Sequence, residues 1–142
     1  MKILVINGPN INLLGVREPE LYGNKTYKDL LALCEETCKE NNSVCICFQS
    51  NHEGAIVDAI QQAKEEGIDG IVINAAAYSH TSIAILDALK AVSIPAVEVH
   101  ITDPKQREEF RHIDYTALAC EKTIAGKGIE GYKEAIEYLL RG

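Results

Sequence analysis

Lys2-Ile3-Leu4-Val5-Ile6 is a short apolar run that breaks into Asn7-Gly8-Pro9-Asn10. An unbroken run of this length, stopped by turn residues, reads as a buried strand followed by a turn. No helix follows at once. The stretch from Ile11 to Gly23 is polar and irregular, holds Arg17, Pro19 and Tyr22 among its glycines, and gives way to a helical pattern only at Thr26. A strand-to-helix connection usually takes about 2–6 residues. A far longer one, hung on the carboxyl end of a first strand, is expected to form an active-site lid, here at about residues 15–25.

The opening pattern repeats along the chain. Apolar runs predict further strands at 44–48, 70–73, 96–100 and 122–126. Helical spacing predicts helices at 26–41, 55–66, 83–92 and 132–140, with Thr26 as an N-cap and Gly67 as a stop. Residues 104–110 suit one or two helical turns. Strand and helix thus alternate five times, and strands built of Val, Ile and Leu are buried on both faces, which suits a parallel sheet covered by helices. The expectation is one α/β domain of 142 residues, a doubly wound five-stranded sheet of flavodoxin-like order. An eight-stranded barrel needs about 250 residues.

A net charge of -7 with no basic stripe argues against a dedicated nucleic-acid binder, though a local arginine still allows a small anionic substrate. No run approaches the ~20 apolar residues of a membrane span. Five cysteines at irregular spacing, with no secretory pattern at the start, fit inert thiols in a reducing compartment, the cytoplasm. Cys45 and Cys47 alternate along a strand and should share a face; Cys34 and Cys38 are one helical turn apart.

In doubly wound sheets ligands sit beyond the carboxyl ends of the strands. There the chain places Asn7 and Asn10, then Gln49, Asn51, His52 and Glu53, then Asn74 and His80, then Glu98, His100 and Thr102. Glu98 and His100 share one face of a strand, so they can meet. A carboxylate fixes the tautomer of an imidazole and raises its basicity, which prepares it for proton transfer, although a structural His–Glu bond would use the same pair. Arg17 beside Tyr22 would favour the phenolate and make Tyr22 a base near neutral pH, or else both are solvated loop residues. Arg107 and Arg111 are spaced to grip a carboxylate or hydroxyls, or to pair with Glu108 and Glu109.

Several chemistries are disfavoured. Asn7-Gly8-Pro9-Asn10 is neither a dinucleotide fingerprint nor a phosphate loop. Asn51-His52-Glu53 lacks the zinc-protease spacing, and His52 and Glu53 better suit a cap on the second helix. No lysine joins these polar residues, so a Schiff base has no carrier. A non-enzymatic binding module would need an acidic or nucleotide-cradling cluster after the first strand; a different hydroxy-acid lyase is the nearer alternative.

Taken together, Asn7-Gly8-Pro9-Asn10, Arg17-Glu18-Pro19 with Tyr22-Gly23, Gln49-Ser50-Asn51-His52-Glu53-Gly54, His80-Thr81-Ser82, Val97-Glu98-Val99-His100 and Arg107-Glu108-Glu109-Phe110-Arg111 resemble the type II 3-dehydroquinate dehydratases. The resemblance implies anti elimination of water from 3-dehydroquinate through an enolate, without cofactor, metal or imine, in the shikimate pathway of aromatic amino acid biosynthesis. It implies Tyr22 as the base at C2, tuned by Arg17. Asn10 would hold an enolate-stabilising water, and His100 would be the acid, oriented by Glu98. It assigns ring binding to Asn74, His80 and Arg111, and the carboxylate to the Ile101 and Thr102 amides with the Thr102 hydroxyl. Asp87 would reach a neighbouring subunit's site in a homododecamer built from trimers. Against the family pattern, Ala76 stands for a common Gly, Thr102 for Ser, Leu86 for Arg, Ile113-Asp114 for His-Ser, and Lys122 for Gly.

Overall fold

The computed structural model describes residues 1–16, 18, 20 and 24–142. Arg17 and Tyr22, with much of the expected lid, lie outside the described residues. The strands are β1 (Lys2–Asn7), β2 (Val44–Gln49), β3 (Gly70–Asn74), β4 (Ala96–His100) and β5 (Lys122–Ala125). The helices are α1 (Tyr27–Glu40), α2 (Glu53–Glu65), α3 (Ile83–Val92) and α4 (Glu130–Arg141). All strand pairs are parallel, in the order β2-β1-β3-β4-β5. This is the doubly wound sheet that the alternation predicts. The chain leaves β1 for β2 on one side and returns to β3 on the other, so the switch point lies between β1 and β3, where Asn7 pairs in register with Asn74.

Successive residues of a strand point to opposite faces, so β1 feeds two cores. Ile3 and Val5 join Leu30 of α1 and Tyr132 and Ile136 of α4. Leu4 and Ile6 join Ile56 and Ile60 of α2 and Ile85 and Leu89 of α3. β3 and β4 are buried throughout, whereas β2 is half-buried and its Val44 is 55% exposed. Burial on both faces thus holds for the central strands; at the edges one side has no neighbouring strand to cover it.

Local chemistry sets the helix ends. Thr26 and Asp29 exchange a capping box at the start of α1. The Ser82 hydroxyl accepts the Ile85 N–H at 3.0 Å at the start of α3. α2 begins two residues before the spacing suggests; His52 takes the N-cap position, but its side chain makes no capping bond, so the expected His52 cap is corrected. α4 also starts two residues early and takes in Gly131, where an added Cβ would stand 3.3 Å from both Ile124 and Val99. The glycine lets the helix close onto β4 and β5. Residues 104–110 divide into short 3-10 turns, Pro104–Gln106 and Glu109–Arg111.

Cys45 and Cys47 do share a face, with their sulfurs 3.6 Å apart, against α1. A hydrogen bond with Cys34, with burial added, pushes the Cys47 thiol up to about 12, and burial does the same to Cys120. Such thiols stay protonated and behave as small apolar residues.

The switch point is held by one buried phenol. The Tyr132 hydroxyl donates to Asn7 Oδ1 at 2.6 Å and accepts from Asn74 Nδ2 at 2.9 Å. Asn7 is therefore a structural residue beneath the site, fully buried, not a wall of it. Tyr132→Phe should remove both bonds and lower stability by about 1–3 kcal/mol, read from urea unfolding. A midpoint equal to that of the unaltered chain would remove this role.

Candidate active site

Three strand ends build the site. After β1 the chain passes so close to Ala75 that a Cβ on Gly8 would stand 2.4 Å from the Ala75 carbonyl oxygen. With Gly8 N–H donating to the Asn74 carbonyl at 2.8 Å, the turn carries Pro9, Asn10 and Ile11 over the crevice. Asn10 adopts a left-handed backbone, φ +70°, a conformation Asn tolerates, and its N–H donates to Asn51 Oδ1 at 3.1 Å. Gln49 Nε2 donates to the Gly8 carbonyl at 3.1 Å. The polar end of β2 thus braces the first turn instead of lining the pocket.

After β3, Asn74 Oδ1 accepts the Ala76 N–H at 3.0 Å, and a 3-10 turn, Ala76–His80, begins with Ala76 at φ +54°. A left-handed backbone of this kind is one that glycine adopts without strain. His80 Nδ1 donates to the Ile113 carbonyl at 2.7 Å, which leaves Nε2 as the acceptor of the neutral ring. Its ring stacks on that of His100, with centroids 6.3 Å apart and planes 16° apart.

After β4, His100 Nε2 lies 2.9 Å from Glu98 Oε2 and 3.2 Å from Asp114 Oδ2. Glu98 Oε1 accepts the Thr123 hydroxyl of β5 at 2.9 Å. Burial opposes a charged imidazole, but hydrogen bonds and negative charge from Asp114 and Glu98 outweigh it and push His100 up to about 9. Burial pushes Glu98 up to about 7, against the pull of His100. Burial also resists ionisation of Asp114, yet the bonds to His100 and Glu98 hold its carboxyl below the usual range. The ligand atoms of this trio lie within 4.8 Å of one another, but the direct approach of both carboxylates to Nε2 suits a proton on that nitrogen better than a metal ion.

A cavity of about 140 Å³ opens among these ends. Of the expected site residues, Asn10, Asn74, His80, His100, Ile101, Thr102 and Arg111 line it together. Glu98 lies behind His100, fully buried. Asp87 does not line the cavity; it is exposed on α3. Arg107 is also in the wall, and it donates from Nη1 to the Thr102 hydroxyl at 3.4 Å. Arg111 Nε donates to Glu108 Oε1 at 2.9 Å. The two arginines face the cavity and share Glu108. Asp114 was missed. It sits 14 residues beyond His100 in irregular chain, and no periodicity ties it to β4.

With an anion-friendly cavity, a charged imidazole and two arginines, the site suits a small polyhydroxylated acid and proton transfer. The family model described as "Dehydroquinase class II" matches residues 1–140. The chain is 54% identical to a 3-dehydroquinate dehydratase of a Bradyrhizobium strain over 94% of this chain and 82% of that one. It is 51% identical to a catabolic 3-dehydroquinase of Debaryomyces hansenii over 98% of this chain and 96% of that one. It is also similar to the crystal structure of a type II dehydroquinase from Butyrivibrio crossotus, with a TM-score of 0.96 and 55% identity over 98% and 97% of the two chains.

Proposed function

The chain belongs to the class II dehydroquinase family, and from that premise we propose which of its residues carry each step of the reaction. That reaction is loss of water from 3-dehydroquinate to give 3-dehydroshikimate, a step of the shikimate pathway. The observation that carries the assignment is His100, held at about 9 in the cavity wall by two carboxylates. An imidazolium that persists at neutral pH is a proton donor for a poor leaving group such as hydroxide.

In this account Tyr22, as phenolate, takes a proton from C2 of the substrate. The electrons pass into the neighbouring ketone and form an enolate, whose oxygen is stabilised by a water held at Asn10. Collapse of the enolate forms the C1–C2 double bond and expels the C1 hydroxyl, which leaves as water with the proton of His100. Base and acid act from opposite faces. Asn74, His80 and Arg111 bind the ring hydroxyls. The Ile101 and Thr102 amides, with the Thr102 hydroxyl, take the carboxylate, and the seating of all five in one wall supports that division of labour. Arg17 lowers the Tyr22 pKa. Arg17→Ala should therefore move the Tyr22 limb of the kcat profile to higher pH, and a limb that stays put would free Arg17 of that role.

The lid at about residues 15–25 closes over the cavity in this account. The assembly is a homododecamer of trimers in the cytoplasm, with Asp87 facing a neighbour's cavity. The exposed apolar side chains of Ile83, Phe110, Ile113 and Leu118 support an oligomer. No helix among the described residues is long and apolar enough to cross a membrane.

The testing experiment is incubation of the purified chain with 3-dehydroquinate, with enone absorbance read in the presence of a chelator and after borohydride treatment. Growth under both conditions is expected. No growth in untreated protein would overturn the reading, and loss only after borohydride would replace it with an imine route.

A further inference from the structure

One carboxylate would suffice to orient His100, yet two converge on the same nitrogen. Glu98 Oε2 and Asp114 Oδ2 lie 2.9 and 3.2 Å from Nε2. A single N–H cannot point at both. The bond satisfies hydrogen-bond geometry with Asp114, while Glu98 Oε2, fully buried, has no such partner among the described residues. Two carboxylates that share a site cannot both ionise cheaply, and the better hydrated one keeps the charge. Here the side chain of Asp114 is 23% exposed and that of Glu98 0%. Asp114 also lines a second cleft on the far side of His100, with Lys105 and His112, so solvent and cations reach it. Glu98, by contrast, is fully buried against His100, Asp114 and the Thr123 hydroxyl.

We propose that Asp114 is a positioning residue for the acid: its carboxylate is the counter-ion of the His100 imidazolium, and it holds Nε2 away from the substrate so that Nδ1–H faces the leaving hydroxyl. This rests on the role given to His100 above. The buried orphan at Glu98 Oε2 is then satisfied by a shared proton that Glu98 donates to Asp114. The other groups facing His100 among the described residues do not supply this charge. His80 stacks on the ring and is committed to the Ile113 carbonyl. Arg107 and Arg111 across the cavity are cations, and Cys120 behind the trio is held protonated.

Asp114 has a structural duty as well, since its Oδ1 accepts the Ala117 N–H at 3.2 Å. Asp114→Asn keeps the acceptor toward Ala117 and replaces the charged oxygen that faces His100 with an uncharged amide group, so it separates the two roles. The wild-type kcat profile should fall as pH rises through about 9, where His100 loses its proton. In Asp114→Asn the limb should move down by about one pH unit, roughly tenfold in proton affinity. KM should hold, and Asp114→Glu should return the limb toward its original place. The same change should appear in the 15N titration of the His100 ring, which needs no turnover. A limb and a ring titration that both stay near 9 in Asp114→Asn would reduce Asp114 to its bond with Ala117. If the Asn variant does not fold, Asp114→Ser gives the same two readouts. A wild-type chain without dehydratase activity would overturn the functional assignment, while the ring titration would still decide for or against Asp114 as counter-ion.

Discussion

His100→Asn is expected to lower kcat for 3-dehydroquinate by about 10²–10⁴-fold, the usual worth of a positioned general acid. The amide fills similar space and can still bond to Glu98 and Asp114, but it carries no transferable proton. The hydroxyl must then leave without protonation, while the cavity residues proposed to seat the ring and carboxylate are unaltered. KM should accordingly change little, and the limb near 9 should disappear from the pH profile. A loss confined to kcat marks an interaction made in the transition state. A variant within about tenfold of wild type would remove His100 as the acid and, with it, the observation that carries the functional assignment.

Tyr22→Phe is expected to cost a similar or larger factor, also about 10²–10⁴-fold or more, because none of the described cavity residues is an obvious base. The second imidazole in the described wall, His80, has its Nδ1 committed to the Ile113 carbonyl, and its ring stacks on His100, on the acid's side of the cavity. The Phe side chain keeps the aromatic body and loses only the oxygen, so substrate should still bind, which a thermal shift with the unreacted substrate would register. Wild-type turnover in this variant would sink Tyr22 as the base and transfer the search to the polar groups at Asn10 and His80.

Much of this arrangement was legible in the sequence because strands impose a period of two. Glu98 and His100 had to share a face, and they do, at 2.9 Å. The alternating apolar runs gave five parallel strands with the polar residues at one end, and the order follows from the doubly wound crossover rule. What stayed hidden involves contacts between distant, aperiodic segments. Asp114 meets His100 only after two 3-10 turns, Pro104–Gln106 and Glu109–Arg111, have brought the chain back to the end of β4, and no local pattern encodes that path. Asn7 looked like a ligand group because it ends a strand; burial under Tyr132, 125 residues later, makes it a brace. The early start of α4 has the same origin: tertiary packing at Gly131 against Ile124 and Val99 decides its first turn more than local propensity does.

The central claim is that a base and the His100 acid work on opposite faces of the substrate. The most direct test is 3-dehydroquinate carrying deuterium at C2 on the face opposite the C1 hydroxyl. The account predicts that the 3-dehydroshikimate formed has lost the label to water and that the label slows turnover. Product that keeps the deuterium would mean that the proton leaves from the same face as the hydroxyl, and it would contradict the assignment of separate groups to acid and base.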